Sequence, residues 1–441
     1  MSLITSWLPV VMLHLSLMPP LVAAAGGEWR AVALRPEMRP RFERRESAAA
    51  AEEQLSIQAE NRPGLAGAWV AEFPVGGGQH YRFSCLRKTD AVRSPRRSAV
   101  VKIIWQNAAG QLVPGRSDDL ARPEYPGDGD VDRQGWTEVS GTYHVPDAAT
   151  QARIELHLRW APAGQVTWKS VRLKTAQVAP QRRVRLATVH FRPQGKTSAA
   201  ENRAAFAPLI AEAGRQQADL VCLGEALTMV GTKLSYVDVA EPIPGPSTAY
   251  FGKLARKHDL YIVAGLLERS GAAVYNTAVL LGPSGKLLGK YRKVCLPREE
   301  IEGGVTPGET YPVFQTRFGK LGMMICWDVH FPEVARELSA AGAEVIAMPI
   351  WGGNPALARA RAIENQVFLV SSTYTDPARD WMKSGVWDQE GRLLTVGERW
   401  GTVKVVEVDL GQRKYWKWLG DFKARIHRER PAIRRHTLPV P

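Results

Sequence analysis

The sequence predicts an α/β catalytic half preceded by an all-β sandwich, and three observations lead there. From Val184 onward, apolar runs of strand length alternate with segments of helical spacing. Between Trp29 and about Pro180 the runs are short, alternate with period two, and are separated by Gly, Pro and polar turns. At 441 residues the chain is too long for one ordinary core, so two domains and a targeting segment are expected.

Residues Leu3 to Ala25 form an apolar stretch broken by Pro19-Pro20 and closed by the small residues Ala23 to Gly27. Such a stretch is the pattern of a signal peptide over residues 1–25, which predicts export to the periplasm or beyond and a mature chain starting near Gly26. The segment before the apolar run lacks Lys and Arg, so an uncleaved N-terminal anchor is the alternative.

The β half is placed over residues 28–178. Its runs include Ala68–Phe73, His80–Ser84, Ala99–Trp105, Thr137–Tyr143, Ala152–Trp160 and Val166–Leu173. Period two with frequent turns predicts an antiparallel sandwich. The order of these words, ending in Gly164-Gln-Val-Thr-Trp168-Lys-Ser-Val171, resembles a jelly roll of the carbohydrate-binding type. That resemblance makes Trp69, Trp105, Trp136, Trp160 and Trp168 candidate sugar platforms, although aromatics at strand spacing are commonly core.

A Pro- and charge-rich junction, Gln177 to Arg183, leads into the catalytic half, placed over 183–430 and followed by a basic tail, 431–441. The predicted order is strand Val184–Phe191, helix Ala199–Gln216, strand Leu220–Leu223, helix Ser247–His258, and strands Tyr261–Leu266 and Thr277–Leu281. Strand Leu321–Ile325 and helix Glu333–Gly342 come next, then strand Val345–Pro349, helix Pro355–Asn365 and strand Val367–Thr373.

The net charge of +14 raises the question of a nucleic-acid partner. The basic residues are scattered and no nucleic-acid motif accompanies them, so a solvated Arg-rich surface is the reading. Four cysteines, Cys85, Cys222, Cys295 and Cys326, are too few and too widely spaced for a disulfide framework or a zinc site.

Three stretches carry the chemistry. Cys326 sits where an apolar strand meets a helix, a turn from which a thiol projects while following N–H groups face the atom it attacks. Glu225 ends the apolar run Asp219 to Leu223, and Lys293 lies in Gly289-Lys-Tyr-Arg-Lys293, read as a loop after Thr277–Leu281. Open α/β sheets gather ligands at the carboxyl ends of their strands, so residues far apart in sequence can meet there.

Glu, Lys and Cys in this order resemble the nitrilase superfamily of carbon–nitrogen hydrolases. Further words agree: Glu241-Pro-Ile-Pro-Gly-Pro246, Tyr275-Asn-Thr277, Thr306-Pro-Gly308, Cys326-Trp-Asp328 and Arg361-Ala-Ile-Glu-Asn365. The resemblance implies a four-layer α-β-β-α sandwich, commonly paired in homo-oligomers, with no cofactor and no metal. It also implies a second glutamate after the lysine, for which Glu299, Glu300 and Glu302 compete and Glu300 is favoured. One departure is Cys295, where the family often carries histidine. Trp327, His330 and Trp351 are candidates for the oxyanion site and pocket.

The residue types fit an amide hydrolase. Thiolate is the strongest protein nucleophile, and a thioester divides one high barrier into two lower ones. Glu225 is the candidate base that takes the Cys326 proton, returns it to the departing amine and then activates water. Lys293 and the Trp327 N–H are the candidate stabilisers of the oxyanion. The expected substrate is a small amide or N-carbamoyl compound, the amidase and carbamoylase branches fitting better than true nitrilases. The alternatives are a nitrile hydrolase and a secreted glycan-binding protein whose hydrolase half is a scaffold.

Overall fold

The computed structural model describes residues 27–47, 52–115 and 119–431. The expected signal segment 1–25 and residues 432–441 of the expected tail lie outside the described residues. The chain divides into two compact units, one of them Pro180–Arg430 and the other containing the residues up to Ala179.

The first unit has two antiparallel sheets. One has the strand order Arg30–Val32, Ala66–Pro74, Gln151–Arg159, Ala99–Gln106. The other runs Arg41–Ser47, Glu52–Gln58, Gln165–Thr175, His80–Asp90, Thr137–His144, Gly127–Val131. Residues of both sheets, including Leu55, Trp69, Phe83, Ile103 and Leu156, form one core. The period-two alternation produces this, because every second side chain of a strand turns inward. Trp69, Trp105 and Trp168 are buried in that core rather than exposed as platforms. Trp160 is exposed with Arg97 and Arg159 over its ring, and Lys88 and Lys169 flank half-buried Trp136. Arg41 to Arg45 lie on a sheet-edge strand, Arg41–Ser47, that the sequence pattern did not reveal.

The second unit contains two six-stranded sheets. The first has the order Leu287–Arg292, Ala273–Leu281, Tyr261–Ser270, Leu220–Cys222, Arg183–His190, Thr402–Asp409. The second has the order Val313–Gln315, Lys320–Met323, Val345–Pro349, Phe368–Ser372, Gly385–Trp387, Leu393–Val396. The three central strands of each pair in parallel, and the outer pairings are antiparallel. Alternation along a strand sorts side chains between layers. Val184, Leu186, Leu220 and Val263 share a core with Leu321, Met323 and Ala347 of the second sheet. Ala187, Val221 and Ile262 turn to the opposite face, where Phe206, Ile210, Phe251 and Ala255 cover them. Helices Pro332–Ala340 and Pro355–Asn365 cover the second sheet with Val334, Leu338, Ala358 and Ala362. The layers are therefore helix, sheet, sheet, helix.

Several expectations need correction. The single helix Ala199–Gln216 is two helices, Ala199–Ala205 and Ala207–Arg215. Pro208 lies in the first turn of the second, where its missing N–H is harmless, whereas in a continuous helix it would interrupt the hydrogen bonding. Lys293 follows the edge strand Leu287–Arg292 rather than lying in a loop directly after the preceding strand. Strand Leu321–Ile325 is Lys320–Met323.

His190 ends its strand buried, with Nδ1 2.9 Å from Ser384 Oγ and its ring stacked on Trp400 at 4.3 Å. Nε2 is buried without a partner, and burial lowers the pKa from 6.5 to about 4. The folded state then binds this proton less readily than the unfolded chain, so the stability it contributes is present above about pH 6.5 and lost as pH falls toward 4. His190→Asn is expected to flatten the fall of Tm across that window. An acid profile identical to wild type would assign the loss to other groups.

Candidate active site

The carboxyl ends of the central strands converge on one place. Glu225 follows Leu220–Cys222, Cys326 follows Lys320–Met323, Trp351 follows Val345–Pro349, and Tyr374 follows Phe368–Ser372. Lys293 comes from the end of an edge strand, and the alternation of that strand explains which basic residue turns inward. Lys290 and Arg292 point to one face and share the Glu268 carboxylate at 2.5 and 2.6 Å. Tyr291 and Lys293 turn to the other face, where the Tyr291 hydroxyl donates to Asp328 at 2.8 Å.

Lys293 is 1% exposed, and its Nζ donates to Glu225 Oε1 at 2.9 Å and to Glu300 Oε1 at 2.5 Å. Glu225 and Glu300 are themselves 3% and 5% exposed. Asn276 Nδ2 donates to both carboxylates, at 2.8 and 3.1 Å. The remaining Glu225 oxygen accepts the Trp351 N–H at 2.9 Å, and the Tyr374 hydroxyl holds the Glu225 carbonyl at 2.8 Å. Gly265 permits this packing, since a Cβ there would lie 2.7 Å from the Glu225 Cα. Of the three competing glutamates, Glu300 faces inward, while Glu299 is exposed and Glu302 pairs with Arg298 on the surface.

Cys326 has φ of +43°, in the left-handed region that a side chain rarely adopts, at the start of a short helical turn to His330. Asp328 holds that turn. Fully buried, it accepts the Ile325 N–H at 2.8 Å, the Cys295 N–H at 2.9 Å and the Tyr291 hydroxyl. One carboxylate thus ties the Cys326 turn to the segment that carries Lys293. The Cys326 sulfur lies 3.8 Å from the Gly352 carbonyl oxygen, and the Glu225 carboxylate is near enough to act on the thiol electrostatically. No acceptor among the described hydrogen bonds takes the Trp327 N–H.

The electrostatics follow from burial and charge. Burial, with the Glu225 carboxylate beside it, pushes the Cys326 thiol well above its ordinary range, against the pull of Lys293. Burial disfavours the Lys293 ammonium, but Glu225, Cys326 and Glu300 more than offset this and hold it above its usual value. Burial pushes Glu300 up to about 7, with Lys293 opposing and Glu225 adding to the rise. Asp328 is raised by burial to about 6, opposed by the Ile325 and Cys295 N–H groups. Among the described residues no cluster of His, Cys, Asp or Glu is arranged to hold a metal ion.

Asp328→Asn is expected to lower stability by about 2–4 kcal/mol, because three donors lose an ionised acceptor in a dry interior. A urea titration with an unchanged midpoint would show that this bracing is dispensable.

Trp351 lines a cavity of about 580 Å³ together with Gly352 and Tyr374. Trp327 and His330 do not line it. Their rings pack on each other at 4.1 Å, with Trp327 exposed. Sequence reasoning assigned no role to Asn276, Tyr374 or Tyr236. The Tyr236 hydroxyl is raised by burial and by the nearby Glu300 and Glu225. A signal existed for Asn276, which with Thr277 is polar within the otherwise apolar strand Ala273–Leu281.

An α-β-β-α unit with a buried Glu–Lys–Glu cluster beside a strained cysteine turn defines a class of hydrolase. The signature of the carbon-nitrogen hydrolase family matches residues 185–417, and the chain belongs to that family, within the nitrilase superfamily. It is 32% identical over 226 residues to the omega-amidase NIT2 of Mus musculus, spanning 46% of this chain and 80% of the mouse protein. It is 36% identical over 239 residues to the nitrilase of Pyrococcus abyssi (strain GE5 / Orsay), spanning 52% and 90%. Nit3 of Saccharomyces cerevisiae, a solved structure from branch 10 of the superfamily, aligns with a TM-score of 0.47 at 24% identity. That alignment spans 53% of this chain and 92% of Nit3.

Proposed function

We propose that the enzyme hydrolyses the C–N bond of a small amide or N-carbamoyl compound through a thioester on Cys326. One observation carries this reading: the buried Lys293 ammonium bonds both Glu225 and Glu300 at the strand ends where Cys326 also lies, its thiol proton held by burial and by the Glu225 charge. A thiol in that state attacks only as its proton leaves, and Glu225 is the group in place to take it. The Cys326 sulfur bonds to the carbonyl carbon, and the Lys293 ammonium with the Trp327 N–H stabilises the oxyanion. Glu225 returns the proton to the nitrogen, the C–N bond breaks, and ammonia or an amine departs. Glu225 then takes a proton from water, the hydroxide displaces sulfur, and the acid and free thiol are regenerated. Glu300 and Asn276 hold Lys293 and Glu225 in register throughout.

The relatives named omega-amidase support the amide over the nitrile as substrate. A panel of amides, carbamoyl amino acids and nitriles, scored by ammonia release beside Cys326→Ala, tests the reading. Turnover of amides or carbamoyl compounds that is lost in the variant is expected. Turnover of nitriles alone would make the chain a nitrile hydrolase.

For the first unit the proposal is a jelly roll of the carbohydrate-binding type on an exported protein, supported by its two antiparallel sheets and exposed Trp160. Retention of the full chain on insoluble polysaccharide, reduced in Trp160→Ala, is the expected result. Passage without retention would remove the glycan reading and leave the hydrolase intact.

A further inference from the structure

The cavity beside the nucleophile has walls that amide hydrolysis alone does not require. Three tryptophans line it: Trp351, Trp381 and Trp400, exposed by 39%, 44% and 44%. Single exposed aromatics are ordinary on protein surfaces, but three indoles lining one cavity offer several stacking faces in one place.

Trp381 is tied to the reacting centre. A Cβ on Gly352 would lie 2.5 Å from the Trp381 Nε1, so the indole packs directly over that glycine. The Gly352 carbonyl oxygen is the atom 3.8 Å from the Cys326 sulfur. Only Gly352 separates the Trp381 indole from the thiol, which puts this ring within reach of the non-reacting portion of an amide on Cys326. Trp400 is held in place by its stack on His190, 4.3 Å between centroids and 17° between planes.

The rest of the wall is polar. Arg192 and Arg379 line the cavity, and among the described residues neither forms an ion pair with a carboxylate. Asp376 and Asp380 lie there too, and Asp376 accepts the Ala378 N–H at 3.0 Å. Flat indole faces beside Arg192, Arg379, Asp376 and Asp380 combine stacking surface with polar groups able to orient a small molecule. A second cavity of about 590 Å³ shares Asp376 and Trp400 with the first and continues over Pro377, Leu393 and Val396.

From this we infer that the substrate is an amide whose non-reacting portion carries a ring, stacked on Trp381 and Trp400, with space for a further extension beyond Trp400. The inference rests on the amide-hydrolase reading and adds the class of substrate to it. A flat apolar ring face is offered by both an aryl group and a pyranose, and the test separates the two.

The experiment compares kcat/KM of the full-length enzyme for 3-phenylpropanamide, the corresponding 3-(pyranosyl)propanamide and straight-chain nonanamide. At least one ring amide is expected to exceed the chain about tenfold or more, and the better of the two identifies the ring. Trp381→Ala is expected to reduce that ratio about tenfold through KM, and Trp381→Phe to restore most of it. Equal kcat/KM for ring and chain, or a ratio unmoved in Trp381→Ala, overturns the inference while leaving amide hydrolysis standing. If none of the amides turns over, the hydrolase reading is the one in difficulty. Equilibrium titration of Cys326→Ala with the same three amides then decides the ring preference: tighter ring binding upholds it and equal binding overturns it.

Discussion

Cys326→Ala is expected to abolish amide turnover, by about 10⁵-fold or more, while leaving the melting temperature within a few degrees of wild type. The size follows from its role: without sulfur there is no thioester, and what remains is a pocket that orients a substrate no group attacks. The small stability effect has its own reason. Cys326 sits in a strained conformation that Asp328 enforces through neighbouring backbone. Removing one sulfur atom opens no large cavity. Ammonia release near the wild-type rate from this variant would eliminate the proposed mechanism, and loss of folding would give the cysteine a structural task as well.

Lys293→Arg is expected to lower kcat/KM by about 10³-fold or more. The ammonium is fully buried against Glu225 and Glu300, and a guanidinium is wider, planar and unable to present one compact charge to the same two oxygens and to an oxyanion. Overpacking adds a loss of roughly 1–3 kcal/mol in stability, which thermal melting followed by circular dichroism separates from the kinetic effect. Activity within about tenfold of wild type, in a folded variant, would show that Lys293 does not meet the developing charge.

The inward residues were legible in the sequence where a strong pattern points at them. Cys326 and Glu225 each close an apolar run, and in an open sheet the ends of such runs meet at one edge. Lys293 was legible only through its family word, because Lys290 and Arg292 beside it make an equally plausible surface run. What separates them is the alternation along the strand Leu287–Arg292, carried one residue past its end to Lys293; the strand is short, begins after a turn and contains a glycine, so periodicity does not announce it.

Three further strands escaped for the same reason: Val313–Gln315, Gly385–Trp387 and Leu393–Val396 have four residues or fewer. The pocket was legible only as a location. Trp381 and Asp380 come from irregular backbone, and Trp400 comes from a turn some twenty residues onward. Tertiary packing against Gly352 and His190 places these rings, and no local pattern encodes it.

The central claim is that one thiol carries the acyl group between two half-reactions. Intact-mass and peptide mapping of the enzyme, quenched in acid during steady turnover of an amide, tests it most directly. An added mass equal to the acyl portion of the substrate is expected, located on the peptide containing Cys326 and absent from Cys326→Ala. Turnover with no adduct under any quench time, or an adduct on another residue such as Cys295, would contradict it.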